Sequence, residues 1–234
     1  MSKAIYILMY YLIANSCFAQ KSQKNIALNF NLVCKGDSDV LNKILINSFG
    51  ETYTITKLKY YVSHVKFVSK INGRDNSRIY LIDAAKDNRI KVSIPSEKIT
   101  GISFQLGIDS LLNFSGAQSG ALDPLNDMFW TWNNGYIVFK MEGTSTSSNA
   151  DLKRIEYHIG GYKAKNKVTR EVFLPINDMF FLKTKKLTLE LDVDKYWEGI
   201  NKLSIAVTPV ITLPGEAAKN VADNFTNMFL LKIK

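Results

Sequence analysis

Apolar and polar residues alternate with a period of two along much of the chain. In NIALNFNLVC (25–34), Ile26, Leu28, Phe30 and Leu32 alternate with Ala27, Asn29, Asn31 and Val33. Successive side chains of a strand point to opposite faces, so this pattern predicts a strand. YTITKLKYYVSHVKFVSK (53–70) is rich in β-branched and aromatic residues and predicts a long strand. NGRDN (72–76) reads as a turn and RIYLIDA (78–84) as the next strand. KVSIP, GISFQLGI, GYIVFKMEG, LKRIEYHIGGY, REVFLPI and KLTLELDVD continue the series.

Between these segments, DSLLNFSGAQSGALDPLND (109–127) carries Gly, Ser, Asp and Pro. It predicts a long ordered loop, which is uncommon in a compact domain without a purpose. TSTSSNAD (144–151) reads as a hairpin loop, and KYWEGI as one helical turn. GEAAKNVADNFTNMFLLKIK reads as a C-terminal helix, with Ala217, Val221, Asn224 and Met228 near helical spacing. NDMFW (126–130) is echoed by NDMFF (177–181) and by TNMFL near the C-terminus. Four residues do not establish a repeat; a turn that feeds a Met-Phe wedge to the core accounts for each. No linker divides the chain. The expectation is one all-β domain over residues 20–234, a single antiparallel β-sandwich with long loops and a short C-terminal helix.

The first nineteen residues differ from the rest. Lys3 is followed by an apolar run, Ile5 to Ile13, then polar Asn15 and Ser16, then Cys17-Phe18-Ala19. That order reads as a secretory signal peptide cleaved after Ala19. The run is well short of the about 20 residues a membrane helix needs. Lipidation at Cys17 is the alternative, though Ala14-Asn15-Ser16 is a poor approach to such a cysteine. The formal charge is +9, and losing Lys3 with the leader leaves +8. The lysines and arginines are scattered, so the excess suits solubility or attraction to an envelope surface better than nucleic acid. Without Cys17, Cys34 has no partner for an internal disulfide and reads as a buried, inert thiol.

No nucleophile elbow, phosphate-binding loop, dinucleotide fingerprint or zinc-protease motif is present. No acid/base pair or activated nucleophile stands out, so a binding protein rather than an enzyme is expected. Only His64 and His158 offer imidazole. In a regular strand, His158 shares the polar face with Leu152, Arg154 and Glu156, and Gly160-Gly161 follow it. His64 falls with Tyr60, Val62, Lys66 and Val68, opposite Tyr61, Ser63, Val65 and Phe67. Trp130 and Trp132 in FWTWNNGY point the same way if extended. Indole has a donor but no lone pair for a metal, so an unmodified tryptophan packs or stacks and does not ligate.

LKYYVSHVKF, LIDA, ISFQLGIDSLLNFSGAQSGALDPLNDMFWTWNNGYIVFKMEG and YHIGGY together resemble the MbnP family of exported copper-binding proteins, in its Bacteroidetes-type branch. The resemblance covers most of the chain after the leader. It implies copper held by histidine nitrogens and by kynurenine, a tryptophan oxidised by a dihaem, cytochrome c peroxidase-like partner. Ring opening supplies the aromatic amine that indole lacks. By that resemblance the metal residues are His158, His64 and Trp130 or Trp132, in the periplasm or at the cell surface. The sequence departs from the family pattern where Ser63 and Phe114 stand in place of histidines, and the usual cysteine after the His-Leu-Gly segment is missing. His64 stands one place late, which in a regular strand is the opposite face; either a bulge or a different register brings it to the site, or this branch has lost copper. The alternative is a non-metal module whose loops bind an envelope peptide or glycan through Trp130, Trp132 and Tyr136.

Overall fold

The computed structural model describes residues 25–69, 77–86, 88–94, 98–132, 135–176 and 186–233. The expected leader, the NGRDN turn and the NDMFF echo lie outside them. The elements run β1 (Asn25–Val33), β2 (Leu45–Ile46), β3 (Thr52–Ser69), β4 (Tyr80–Asp83), β5 (Arg89–Ser93), β6 (Ile99–Leu106) and α1 (Ser110–Phe114). They continue with β7 (Phe129–Trp130), β8 (Gly135–Ser145), β9 (Arg154–Gly160), β10 (Arg170–Pro175) and β11 (Lys186–Asp192). The last are α2 (Asp194–Trp197), β12 (Val210–Ile211), α3 (Glu216–Asn224) and β13 (Phe229–Ile233).

Two sheets form. One has four strands in the order β13-β11-β1-β5; the other has nine, built on β10-β6-β3-β8-β9-β12 with β2, β4 and β7 attached. Both are mixed, because β1 pairs with β11 and β12 pairs with β9 in parallel. This corrects the expected single antiparallel sandwich. Ile26, Leu28 and Phe30 of β1 are buried as the alternation predicts, while Asn29 and Val33 are buried too and Leu32 is half-buried; nothing in the pattern distinguishes a parallel from an antiparallel neighbour. The main core joins Leu28, Phe30, Leu189 and Leu191 of the small sheet to Tyr60, Phe104, Phe139 and Tyr157 of the large one. Phe30 meets Tyr60 and Phe104 edge to face at 6.5 and 6.1 Å, the geometry aromatic quadrupoles favour. Trp197 lies in this core, 5.0 Å from Tyr53. Cys34 is buried there too; burial first, then Asp194 and Asp192, push its thiol up, which suits an inert packing residue.

The C-terminal segment is a second correction. The helix stops at Asn224, and Phe229–Ile233 is a strand on β11. The helix buries Ala218, Val221, Ala222 and Asn224, so Val221 and Asn224 of the expected face hold and Ala217 is exposed. Helical spacing and strand alternation coincide over so short an apolar run, and pairing with Leu187–Leu191 decides between them.

A smaller cluster lies apart from the main core. Tyr61, Ile108, Leu122, Met128, Trp130, Tyr136 and Ile137 pack together beneath the 109–127 segment. That segment is ordered through α1 and two 3₁₀ turns, Gly120–Leu122 and Pro124–Asn126. Tyr136 pins it: its hydroxyl donates to the Leu122 carbonyl at 2.8 Å, and the Gln118 amide donates back to that oxygen at 3.1 Å.

Candidate functional site

The strands place the candidate residues by register. Lys59 stands opposite Lys140, and Lys140 opposite His158. Directly paired residues share a face, so Lys59, Tyr61, Lys140, His158 and Gly160 look outward, toward the 109–130 segment. Trp130 sits on that face against Gly160: a Cβ built there would lie 2.6 Å from its Cζ3. The glycine after His-Ile is what lets an indole seat on β9. Gly160 is two residues beyond His158, about 7 Å along the strand. The structure therefore brings His158 and Trp130 onto one face as neighbours.

Trp132 lies 5.4 Å from Trp130, ring to ring, and tilted 41°. Trp130 is buried, whereas Trp132 is 60 % exposed. Trp130 packs, and Trp132 opens onto a groove with Gly161, Tyr162, Lys163, Leu213 and Pro214.

His64 is the main surprise. Ser63 pairs with Gln105 and Lys66 with Ser103, so three steps on β3 match two on β6. The extra residue is a bulge, and His64 takes a φ of +53° within it. Tyr60 and Val62 face the core before the bulge, and Val65 and Phe67 after it. The facing predicted for Val65, Phe67, Lys66 and Val68 is thereby reversed, and His64 leaves the core side for the side of the long segment. There its Nε2 lies 2.9 and 3.0 Å from the two oxygens of Asp109. Gln105 Nε2 donates to Ser63 Oγ at 3.2 Å and reaches Asp109 at 3.4 Å, while Ser63 Oγ donates to the Gly107 carbonyl at 2.8 Å. A left-handed residue with a side chain costs roughly 1–2 kcal/mol, and a β-branched one costs more. His64→Gly is therefore expected to stay within about 1 kcal/mol of the parent, and His64→Val to lose about 2 kcal/mol. Urea unfolding of both checks this; equal tolerance of Val and Gly would rule out the bulge.

His158 is held in a charged network. Its Nε2 is 2.8 Å from Glu142 Oε1 and its Nδ1 is 3.5 Å from Glu156. Lys57 contacts Glu142 and Asp127, both at 3.0 Å, and the buried Lys140 contacts Asp127 at 2.7 Å and Glu142 at 3.4 Å. The His158 hydrogen bond, helped by Lys57 and Lys140 against the effect of burial, holds the Glu142 carboxyl well below the usual carboxylate range. Burial raises Asp127, but Lys140 and Lys57 outweigh it and lower that carboxyl as well. Lys59 and Lys140 also donate to the Asn126 and Asp127 carbonyls, at 3.1 and 2.8 Å. The network thus ties the end of the long segment to the sheet. The sequence offered no signal for it, because Lys57 of β3, Lys140 and Glu142 of β8 and Asp127 of the long segment meet only once the chain is folded.

The two histidines do not converge. Four regular steps and the bulge separate His64 from the row of His158, and two strand spacings lie across, so their Cα atoms are roughly 16 Å apart. Among the described residues no three His, Cys, Asp or Glu side chains are grouped to hold a metal ion. Ser63 bonds to backbone, and Phe114 is 71 % exposed. The residues present do not fit one copper ion shared by His64 and His158.

The family model described as MbnP matches residues 23–213. Among solved structures, MbnP from Methylosinus trichosporium superimposes with a TM-score of 0.60 at 15 % identity, over 89 % of this chain and 98 % of that one. Likeness at that identity concerns the fold. No curated protein sequence matches. No helix among the described residues is long and apolar enough to cross a membrane.

Proposed function

This chain belongs to the MbnP family, and from that premise we propose that it is an exported, copper-related binding protein rather than an enzyme. The observation that carries the reading is the bulge at His64. A histidine one place late in the sequence would face the core in a regular strand; the bulge turns it to the face that holds His158 and Trp130. Its carboxylate neighbour, Asp109, suits the role, since ligating imidazoles are commonly oriented by a carboxylate on the second ring nitrogen. His158 is the poorer contact, because Lys57 and Lys140 already supply cations beside it. Copper would then be engaged at the His64 end of the face. Trp130 or Trp132 could add a donor only after oxidation by the dihaem partner that the family resemblance implies.

The test is intact mass together with bound metal, on protein purified from its native host. Copper together with one tryptophan that has lost a carbon and gained an oxygen is the expected result. His64→Ala should then lose most of the copper and His158→Ala should retain it. Metal-free protein of unmodified mass would overturn the reading.

A second reading is favoured by the ion-pair lock on His158 and the separation of the histidines. On that reading the scaffold binds a non-metal partner outside the cell through its exposed aromatic surface. Binding unchanged by His64→Ala and His158→Ala would identify it.

A further inference from the structure

The groove beside Trp132 has a composition that neither histidine explains. Its walls are Trp132, Tyr162, Leu213 and Pro214, and its floor passes over Gly161. Gly161 has a φ of +142°, and a Cβ there would lie 2.3 Å from the Asn166 carbonyl oxygen. Glycine is therefore required there, because the Asn166 backbone packs directly against it. Trp132 and Leu213 are 60 % and 61 % exposed. Helix α1 abuts the groove, with Ser110 Oγ donating to the Tyr162 carbonyl at 3.3 Å. Its Leu111 and Phe114, three apart and so on one side of the helix, are 75 % and 71 % exposed. Scattered apolar residues are ordinary on a surface, but an exposed aromatic group gathered around a groove marks a binding site.

Lys163 lines the groove, and the stretch that follows it in sequence is basic. Residues 161–170 contain Lys163, Lys165, Lys167 and Arg170 and no acid. Arg170 is tied to Asp223. The three lysines are exposed and form no ion pair among the described residues. Glu216 and Lys219, on the neighbouring α3, cancel. An apolar cleft beside an uncompensated basic stretch is complementary to an acidic segment that carries an apolar anchor.

We propose that this groove binds an acidic peptide segment of a partner protein, with an aromatic or aliphatic side chain of the segment seated between Trp132 and Leu213 and its carboxylates facing Lys163, Lys165 and Lys167. This deepens the second reading above, that of a partner-binding surface, and requires nothing of the copper site. A single well-seated aromatic contact commonly carries a large share of binding energy, and charges at the rim govern its salt dependence.

The experiment uses the protein from residue 20 onward, freed of metal, and fluorescence anisotropy of a labelled Glu-Asp-Phe-Glu-Asp peptide. A Lys-Arg-Phe-Lys-Arg peptide and a galacturonate hexamer serve as competitors. The expected result is salt-sensitive binding of the acidic peptide, weakened about tenfold by Trp132→Ala. It is weakened at least as much by the triple change Lys163→Glu, Lys165→Glu, Lys167→Glu. Trp132 is mostly exposed, so a thermal melt matching the parent confirms that its variant is folded. Equal binding of the basic peptide, or binding indifferent to Trp132→Ala, overturns the proposal. Binding of the galacturonate alone overturns the peptide while sparing the partner-binding surface; binding of neither probe overturns both.

Discussion

Glu51→Ala is expected to cost about 4 kcal/mol, enough to lower the melting temperature by roughly 10 °C in a domain of this size. The carboxylate is buried at the start of β3 and accepts four hydrogen bonds. Asn47 Nδ2 donates at 2.7 Å, Ser204 Oγ at 2.8 Å, and the Ile205 and Ala206 amides at 2.9 and 2.8 Å. It thereby fastens the 204–206 stretch, more than 150 residues away in sequence, to the large sheet. Alanine leaves two backbone donors without a partner, and each such group costs about 1–3 kcal/mol when buried. Glu51→Gln keeps one acceptor oxygen but turns an NH₂ toward donors, so a loss of about 2 kcal/mol is expected.

The same clamp makes stability depend on pH. Burial raises the Glu51 carboxyl, but the bonds from Asn47, Ala206, Ile205 and Ser204 outweigh it and hold the group below its ordinary 4.5. A carboxyl lowered on folding adds stability that is fully present above the unfolded value and is lost as pH falls through the folded one. The gap between the parent and Glu51→Gln should therefore be constant above about pH 5 and narrow below 4.5. Denaturant titrations at several pH values measure it. A gap that stays constant down to pH 2 would mean that the clamp does not lower this carboxyl on folding.

What was legible in the sequence, and what was not, follows from the range of each interaction. Alternation in 25–34 and 152–162 located β1 and β9. Ile155, Tyr157 and Ile159 are buried on one face as read, although β9 is shorter than expected and Asn29 and Val33 of β1 are buried against the alternation. Turn chemistry and tryptophan spacing marked 109–132 as special, and the structure shows an ordered segment seated on an aromatic cluster. Pairing direction and pairing partners leave no local mark. The parallel contact of β1 with β11 joins residues about 160 apart. The bulge is intermediate. YVSHVKF reads as a regular strand because Val62 and Val65 both look apolar under either phase. Only the pairing with Gln105 and Ser103 reveals the slip that turns His64 outward. The family resemblance hinted at it, through a histidine displaced by one position. The ionic network around Glu142 left no hint, since its members come from β3, β8, β9 and the long segment.

Gly160→Ala is expected to cost about 2–3 kcal/mol and to unseat Trp130. The new methyl would lie 2.6 and 2.8 Å from Cζ3 and Cη2 of the indole and 2.7 Å from the Tyr136 carbonyl oxygen. The oxygen belongs to the β8 backbone and cannot yield cheaply; the indole can move, but only out of the cluster of Tyr61, Met128 and Tyr136. Moving it separates the Trp130–Trp132 couple, so the near-ultraviolet dichroism of the indoles should fall along with stability. A double-mutant cycle decides whether the indole is the cause. Trp130→Ala alone leaves a cavity and should cost about 3–5 kcal/mol. Adding Gly160→Ala to it should then cost about 1 kcal/mol, because the methyl meets only the carbonyl oxygen once the ring is gone. Strict additivity would place the penalty in the contact with the β8 backbone instead. Coupling would confirm that this glycine serves as the seat of Trp130.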